Sequence, residues 1–487
     1  MSHLDALMVA EAAETGRGRR ISTLCHRRLA PEPMAVVLWQ LGAEPFSAAA
    51  LGWGTSEGSM RSAVAGDPRN RTLAFRALLE FARQFNPWFE APAQVTETIS
   101  RRRGDDIVVA TDAPQVMVAN AATLALLGRL GRRLAYLPTD GDDPADPALV
   151  RLGRHLQFLH EYAHMPGQQL VIVLTELVGG NWASGQTALE RQSLSALDAY
   201  IDPPDGVHGF RAAAAAERVP VGPLPGGDDD ERLEPLVTRL NEARDGGTDP
   251  AVVAPFLEPI AVHYASLLAG TWRLVWRCFW REAGYPEAPS CERRFFDDRR
   301  EYSSHIEWVV TRGGRRRTRK TARQAVRYLA RLEGAQERLL AEEALDDPLR
   351  LIPYLLDGKA LQGVVRLIDR DYMEVAKVKR VRRPLVVLDC DEPCRLPVGK
   401  KLYWTGDAGG PEWTIHAVRN AGDRSQVTMK LMTSSPHDMP PLDEAACFSV
   451  LTSKPPYVKL LPREDPWTHR AASVTPSSDL EESGGAP

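Results

Sequence analysis

His160 and His164 stand four residues apart in the run His160-Glu161-Tyr162-Ala163-His164. The surrounding apolar spacing, Leu152, Leu156, Leu159 and Ala163, predicts an amphipathic helix over 148–164. On a helix, imidazoles at i and i+4 project side by side and can share one zinc ion, with a glutamate between them placed as general base toward a metal-bound water. Glu161 would be that base, and a downstream carboxylate would complete the ligand set, Glu190 or Glu176. The opposing expectation is that both histidines occupy the partly solvated flank of the helix and that the chain uses neither catalytic group nor cofactor. Pro166, two residues after His164, is expected to end the helix there.

A second constellation is electrostatic. From Arg299 to Arg331 there are eleven basic residues against two acids, Glu301 and Glu307. Its centre, TRGGRRRTRKT, holds Arg312, Arg315, Arg316, Arg317, Arg319 and Lys320, and Arg323, Arg327 and Arg331 continue at four-residue steps along one helix face. Guanidinium groups take phosphate oxygens as a fork, so such a stripe suits a nucleic-acid backbone. Further on, Lys379, Arg380, Arg382 and Arg383, with Arg366, Arg370 and Lys377, outnumber Asp369, Asp371 and Glu374, and Tyr372, Tyr403 and Trp404 offer stacking surfaces. The competing expectation is a solvated surface, or a scaffold whose basic stretch meets an acidic partner protein or the chain's own Asp228–Glu231 run.

Over eight residues, His160 to Gly167, the first constellation resembles the metzincin zinc peptidases, whose motif runs H-E-x-x-H-x-x-G-x-x-H. That resemblance implies a zinc-dependent hydrolase with His160 and His164 as ligands. It stops at the third histidine position, which is Leu170 here and cannot bind zinc. A ligand from a second helix, as in gluzincins, would fall to Glu190. Other signals are thinner. Cys390 and Cys394, and Cys25 beside His26, lack further ligands at metal-site spacing, and Trp272, Trp276 and Trp280 suit a core or an interface. No phosphate-cradling glycine loop, G-x-S-x-G elbow or dinucleotide fingerprint is present. Glu44, Asp106 and Asp112 could imitate a nuclease site.

The elements that must position these groups follow from composition and period. The chain's 487 residues allow two to four domains, at about 100–200 residues each. Hydrophobic residues at 44% and charged residues at 25% exclude collagen-like and wholly disordered chains. No apolar run approaches the ~18 residues of a spanning helix, and the first residues lack a signal-like core. With six cysteines in no framework spacing, a cytoplasmic protein without a membrane partner is expected. All nine lysines lie beyond residue 319, which marks a change of character near 315.

The expected fold is multidomain α+β. An N-terminal α/β unit (1–205) has strands at Met34–Gln40, Asp106–Ala110, Gln115–Val118 and Leu170–Leu174, with helices at Thr72–Phe85, Ala121–Leu134 and Thr187–Ile201. A Gly/Pro/Asp-rich linker (206–250) leads to a central α-helical bundle (251–357) of about three long helices, entered through Ser290 and through Thr318 or Thr321 as caps. After Gly358 the period becomes 2, and five short strands predict a C-terminal small β-barrel (358–461), OB- or SH3-like. This barrel also resembles the one inserted in some superfamily 1 helicases. The tail from 462 to 487 is expected to be disordered. The function expected is that of a non-enzymatic nucleic-acid-binding accessory or scaffold protein working with a partner enzyme.

Overall fold

The computed structural model describes residues 3–41, 48–67, 69–100, 105–140, 144–245, 250–314, 320–376, 379–407, 410–435 and 437–452. The fold is mixed α+β, with twelve helices among the described residues. Helix α1 (His3–Thr15) and strand β1 (Arg19–Arg20) lead into three strands, β2 (Met34–Gln40), β3 (Ala48–Gly54) and β4 (Arg61–Val64). Next come α2 (Arg71–Glu90), β5 (Thr96–Ile99), β6 (Ile107–Ala110), β7 (Val116–Val118), α3 (Ala121–Leu134), α4 (Pro147–Tyr162) and β8 (Val171–Val173). Helix α5 (Leu174–Asn181), β9 (Trp182–Ala183), α6 (Leu194–Ile201) and α7 (Gly209–Ala216) complete this part.

The main sheet has the order β4-β3-β2-β7-β8. The first three strands pair antiparallel, and β7 and β8 run parallel to β2. Every residue of β2, β7 and β8 is buried, because helices cover both faces. The two-residue alternation of a strand sends Met34, Val36 and Leu38 into one core with α2, α3 and α4, and Ala35, Val37 and Trp39 into a second on the other face. Asn120 caps α3 as expected, its side chain accepting from the Thr123 backbone N–H at 2.9 Å.

The segment expected as a linker is helical. Helix α8 spans Gly227–Asp245, and Leu233 and Leu240 are buried in the second core. Its acids Asp228, Asp229 and Asp230 occupy the first turn, where a helix N-terminus favours negative charge, so a run that reads as turn chemistry is a helix start. One continuous helix, α9 (Pro250–Ala283), follows, and Leu268, Trp272, Val275, Trp276 and Phe279 lie against the sheet in the second core. By length and composition its Val253–Ala283 stretch could also cross a membrane.

Helix α10 (Ser290–Ile306) continues into a wider turn, Glu307–Thr311. Ser290 is not its cap: it is the first helical residue, and its N–H donates to the Asp346 carboxylate at 3.0 Å. Helix α11 (Ala322–Asp346) is capped by Thr321 with Gln324 in reciprocal bonds. Helix α12 (Pro348–Leu356) is capped by Asp347.

The C-terminal strands are β10 (Ala360–Asp369), β11 (Met373–Ala376), β12 (Lys379–Arg382), β13 (Leu385–Cys390), β14 (Lys401–Trp404), β15 (Glu412–Ala421), β16 (Arg424–Leu431) and β17 (Ala445–Ser449). Six of them close in the order β10-β13-β16-β15-β14-β17 around Val365, Val386, Leu388, Trp413, Met429 and Phe448. The strand absent from the five expected is β17, whose Ala-Ala-Cys-Phe-Ser run has little strand propensity or alternation. The other two, β11 and β12, form a separate two-stranded ribbon. The expected tail, 462–487, lies outside the described residues.

Candidate nucleic-acid interface

Of the basic residues between 299 and 331, several are already paired with acids, two of them local in sequence and two on other elements. Arg299 meets Glu97 at 2.7 Å, Arg300 meets Asp297 at 3.6 Å, Arg312 meets Glu307 at 2.5 Å and Arg331 meets Glu301 at 2.6 Å. Lys320 stands 3.9 Å above the Tyr328 ring. Arg323 is half-buried and Arg327 is exposed on α11. Arg315, Arg316, Arg317 and Arg319 lie outside the described residues. At the entrance to that segment Trp308 is 45% exposed, and the chain doubles back over it. A Cβ on Gly314 would sit 2.2 Å from the indole, so only glycine permits this approach. An exposed aromatic inside a basic run offers a surface on which a base could stack, and charge counting overlooks it.

The second basic cluster is better presented. In the ribbon, Arg382 faces Met373 and Arg380 faces Val375 across the strands, and cross-strand partners share a face. Met373 is 41% and Val375 69% exposed, so this face combines two guanidinium groups with two exposed apolar side chains. Among the described residues no ion pair engages Lys379, Arg380 or Arg382. Among the described residues Arg382 donates only to the Ser434 carbonyl, at 3.3 Å. The ribbon is tied to the barrel by Lys430 and Glu374, 2.6 Å apart, by Tyr372 edge-on to His416, and at its base by the Arg383 N–H on the Tyr372 carbonyl. Of the expected stacking groups, Trp404 packs against the barrel core rather than standing out from it.

The histidine motif is divided by the end of its helix. Helix α4 stops at Tyr162, so His160 is helical and His164 sits in the turn beyond. Their rings are 5.2 Å apart and perpendicular. His160 packs on Gly128 of α3, and burial, with repulsion from His164, lowers its pKa. The residue between, Tyr162, turns inward and donates to buried Asp298 at 2.6 Å. Glu190 caps its own turn by accepting from the Thr187 N–H at 2.6 Å, and the backbone bond lowers its pKa. That turn borders a crevice of about 460 Å³ lined by Asn120, Thr175, Glu176 and Arg191, at the carboxyl ends of β7 and β8. The described residues contain no group of three or more His, Cys, Asp or Glu arranged to hold a metal.

Two buried polar clusters have no counterpart in the sequence motifs. Glu90 contacts His155 Nε2 at 2.8 Å, and His155 Nδ1 contacts His305 Nε2 at 3.0 Å, joining α2, α4 and α10. Burial lowers the His155 pKa against the pull of Glu90. Asp347 accepts from Ser22 Oγ and the Thr23 N–H, both at 2.7 Å, and lies 3.4 Å from His26. Burial alone would raise its carboxyl, but these bonds outweigh burial and hold it far below the usual range. Residues 65–325 positions apart meet in these clusters, so no local spacing reveals them. No protein-family model, no curated protein and no solved structure matches this chain.

Proposed function

We propose that the protein is a non-enzymatic nucleic-acid-binding accessory or scaffold protein, acting in the cytoplasm with a partner enzyme. The observation that carries this reading is the ribbon: Lys379, Arg380 and Arg382 without ion-pair partners among the described residues, beside exposed Met373 and Val375. A two-stranded ribbon fits a nucleic-acid groove, and its apolar side chains can contact base or sugar surfaces while the cations take phosphates. Arg312, Lys320, Arg323 and Arg327, with Arg315, Arg316, Arg317 and Arg319, would add a second phosphate-contacting stretch. In this reading the barrel is of OB or SH3 type and carries the ribbon as its binding arm. All six cysteines are unpaired, which suits a reducing compartment.

The test is fluorescence anisotropy with labelled single-stranded DNA, duplex DNA and single-stranded RNA over a salt series. Wild-type protein should bind at least one probe with affinity falling steeply with salt. Replacing Lys379, Arg380 and Arg382 together by alanine should weaken binding and reduce the log–log salt slope by about 0.7–0.9 for each phosphate that the variant no longer neutralises. Unchanged affinity and slope in that variant would refute the assigned surface.

The rival is a zinc-dependent hydrolase with His160, His164 and Glu190 as ligands and Glu161 as base. The nearness of the two imidazoles speaks for it. Elemental analysis of the untagged protein decides: about one zinc per chain, lost in His160→Ala, would favour it. A protein–protein scaffold is the third reading, favoured by salt-insensitive failure to bind any nucleic acid.

A further inference from the structure

Between the end of α4 and the facing sides of α10 and α11 lies a cavity of about 390 Å³, away from the ribbon. Its α11 wall is built from Ala330, Gly334 and Ala335, whose small side chains leave the space open. Arg294 of α10 lines it and is 3% exposed. Nη2 of Arg294 is held by the His26 carbonyl at 2.8 Å and by Cys291 Sγ at 3.1 Å. Among the described residues its Nε and Nη1 have no hydrogen-bond acceptor; Glu342 lies 3.6 Å from Nη1, at ion-pair distance. Idle donors on a buried guanidinium are costly, and folded chains rarely leave them so. By contrast, buried Glu282 is satisfied by Arg20, Asn181 and Trp182.

The charges around the cavity leave room for an anion. Asp297 is engaged by Arg338 at 2.9 Å and Arg300 at 3.6 Å, and Glu301 by Arg331 at 2.6 Å. Glu342 is shared between Arg293 at 3.3 Å and Arg294. Asp298 has both oxygens occupied, by Tyr162 and by the Gln169 N–H. Four arginines, Arg294, Arg300, Arg331 and Arg338, line the cavity against three carboxylates, Asp297, Asp298 and Glu301, and burial pushes Asp298 toward the protonated form. The surplus of positive charge suits an anion.

We propose that this cavity binds a phosphate monoester, with Nε and Nη1 of Arg294 as its inner donors and Arg331 and Arg338 at its rim. A fork of guanidinium N–H groups matches phosphate oxygens, and the volume accommodates a nucleotide-sized molecule. The monoester is either a free mononucleotide or the phosphorylated end of a strand. Arg331 favours contact with a strand, since it lies one turn beyond Arg327 on α11.

Isothermal titration of the full chain with inorganic phosphate, a 5′-mononucleotide, and 5′-phosphorylated and 5′-hydroxyl oligothymidylate tests this. Gly334→Leu places a side chain at the cavity wall and removes a helix-interior glycine, and a melting curve checks that the variant is folded. Arg294→Gln removes the inner donors. Phosphate or nucleotide binding should weaken about ten- to a hundredfold in both variants, the loss of a charge-assisted pair. A 5′-phosphate preference in the oligonucleotides, abolished by Gly334→Leu, assigns a strand end; mononucleotide binding without that preference assigns a small molecule. The Lys379/Arg380/Arg382 alanine variant should retain phosphate binding, which separates this site from the ribbon surface. No heat with any probe to about 10 mM, or equal affinity in wild type and Gly334→Leu, overturns the proposal.

Discussion

Asp298 is a buried carboxyl whose titration falls within reach of a pH series. Burial, partly offset by hydrogen bonds from Tyr162 and the Gln169 N–H, pushes its carboxyl up to about 7. An unfolded aspartate titrates near about 3.9, so the folded state holds the proton more tightly. Its stabilising contribution is therefore complete below about pH 4 and disappears as pH rises through about 7. His155 and Asp347 act with the opposite sign, because their folded pKa values are depressed and their contributions are complete above their unfolded values. Between about pH 6.5 and 8 only the Asp298 effect remains of these three. Melting temperature should fall across that window in the wild type, and the fall should flatten in Asp298→Asn; an identical slope in the two would remove the assignment. Neither Tyr162 nor Asp298 is singled out by sequence spacing, since the attraction of the H-E-x-x-H pattern is to its outer residues. Tyr162 proves to be the member that reaches the core.

Among elements, α8 shows how composition misleads. Its Asp228–Asp230 run and nearby glycines read as a linker, yet Leu233 and Leu240, seven residues apart, recur on one face and enter the second core. Truncating either to alanine should cost about 2–5 kcal/mol, the penalty of a cavity in a packed core. Chemical denaturation measures this, and a change below about 0.5 kcal/mol would mean the helix is not docked. The ribbon shows the converse. Its basic residues are visible in the sequence, but only strand register reveals that Arg380 and Arg382 share a face with Val375 and Met373. The basic run ahead of α11 is legible as charge, and Asp297, Glu301 and Glu307 stand in or beside it in sequence, but the pairing of Arg299 with distant Glu97 and of Arg331 with Glu301 across two helices is assembled by folding. A local excess of charge in sequence therefore overstates the charge offered to a ligand.

For the whole molecule, the two larger cores draw on residues from Cys25 to Tyr302, with Tyr328, Leu332 and Ala335 packed against the first, whereas the barrel core contains only residues beyond 360. The first two cores share the strands of one sheet, whereas the barrel core shares no element with them, so the barrel is expected to unfold as a separate cooperative unit. Calorimetry should resolve two transitions, and Trp413→Ala, which empties part of the barrel core, should lower only one of them. A single transition moved as a whole by that change would show the two parts to be coupled.

Features that depend on neighbours along the chain were settled before any long-range pairing. The buried strand at Met34–Gln40, the Asn120 cap, the helical period of the tryptophan-bearing stretch and the change to a two-residue period after Gly358 follow from local period and capping chemistry in the sequence, whereas the choice of Thr321 over Thr318 as a cap was settled by the structure. Which distant charges meet was decided in three dimensions alone. Asp347 joins Ser22 and Thr23 over more than 320 positions, Arg294 keeps two donors idle beside a cavity, and the two motif histidines fall on either side of a helix end. Ion pairing, burial and the space left between helices depend on distances through the fold, and linear spacing carries no record of them.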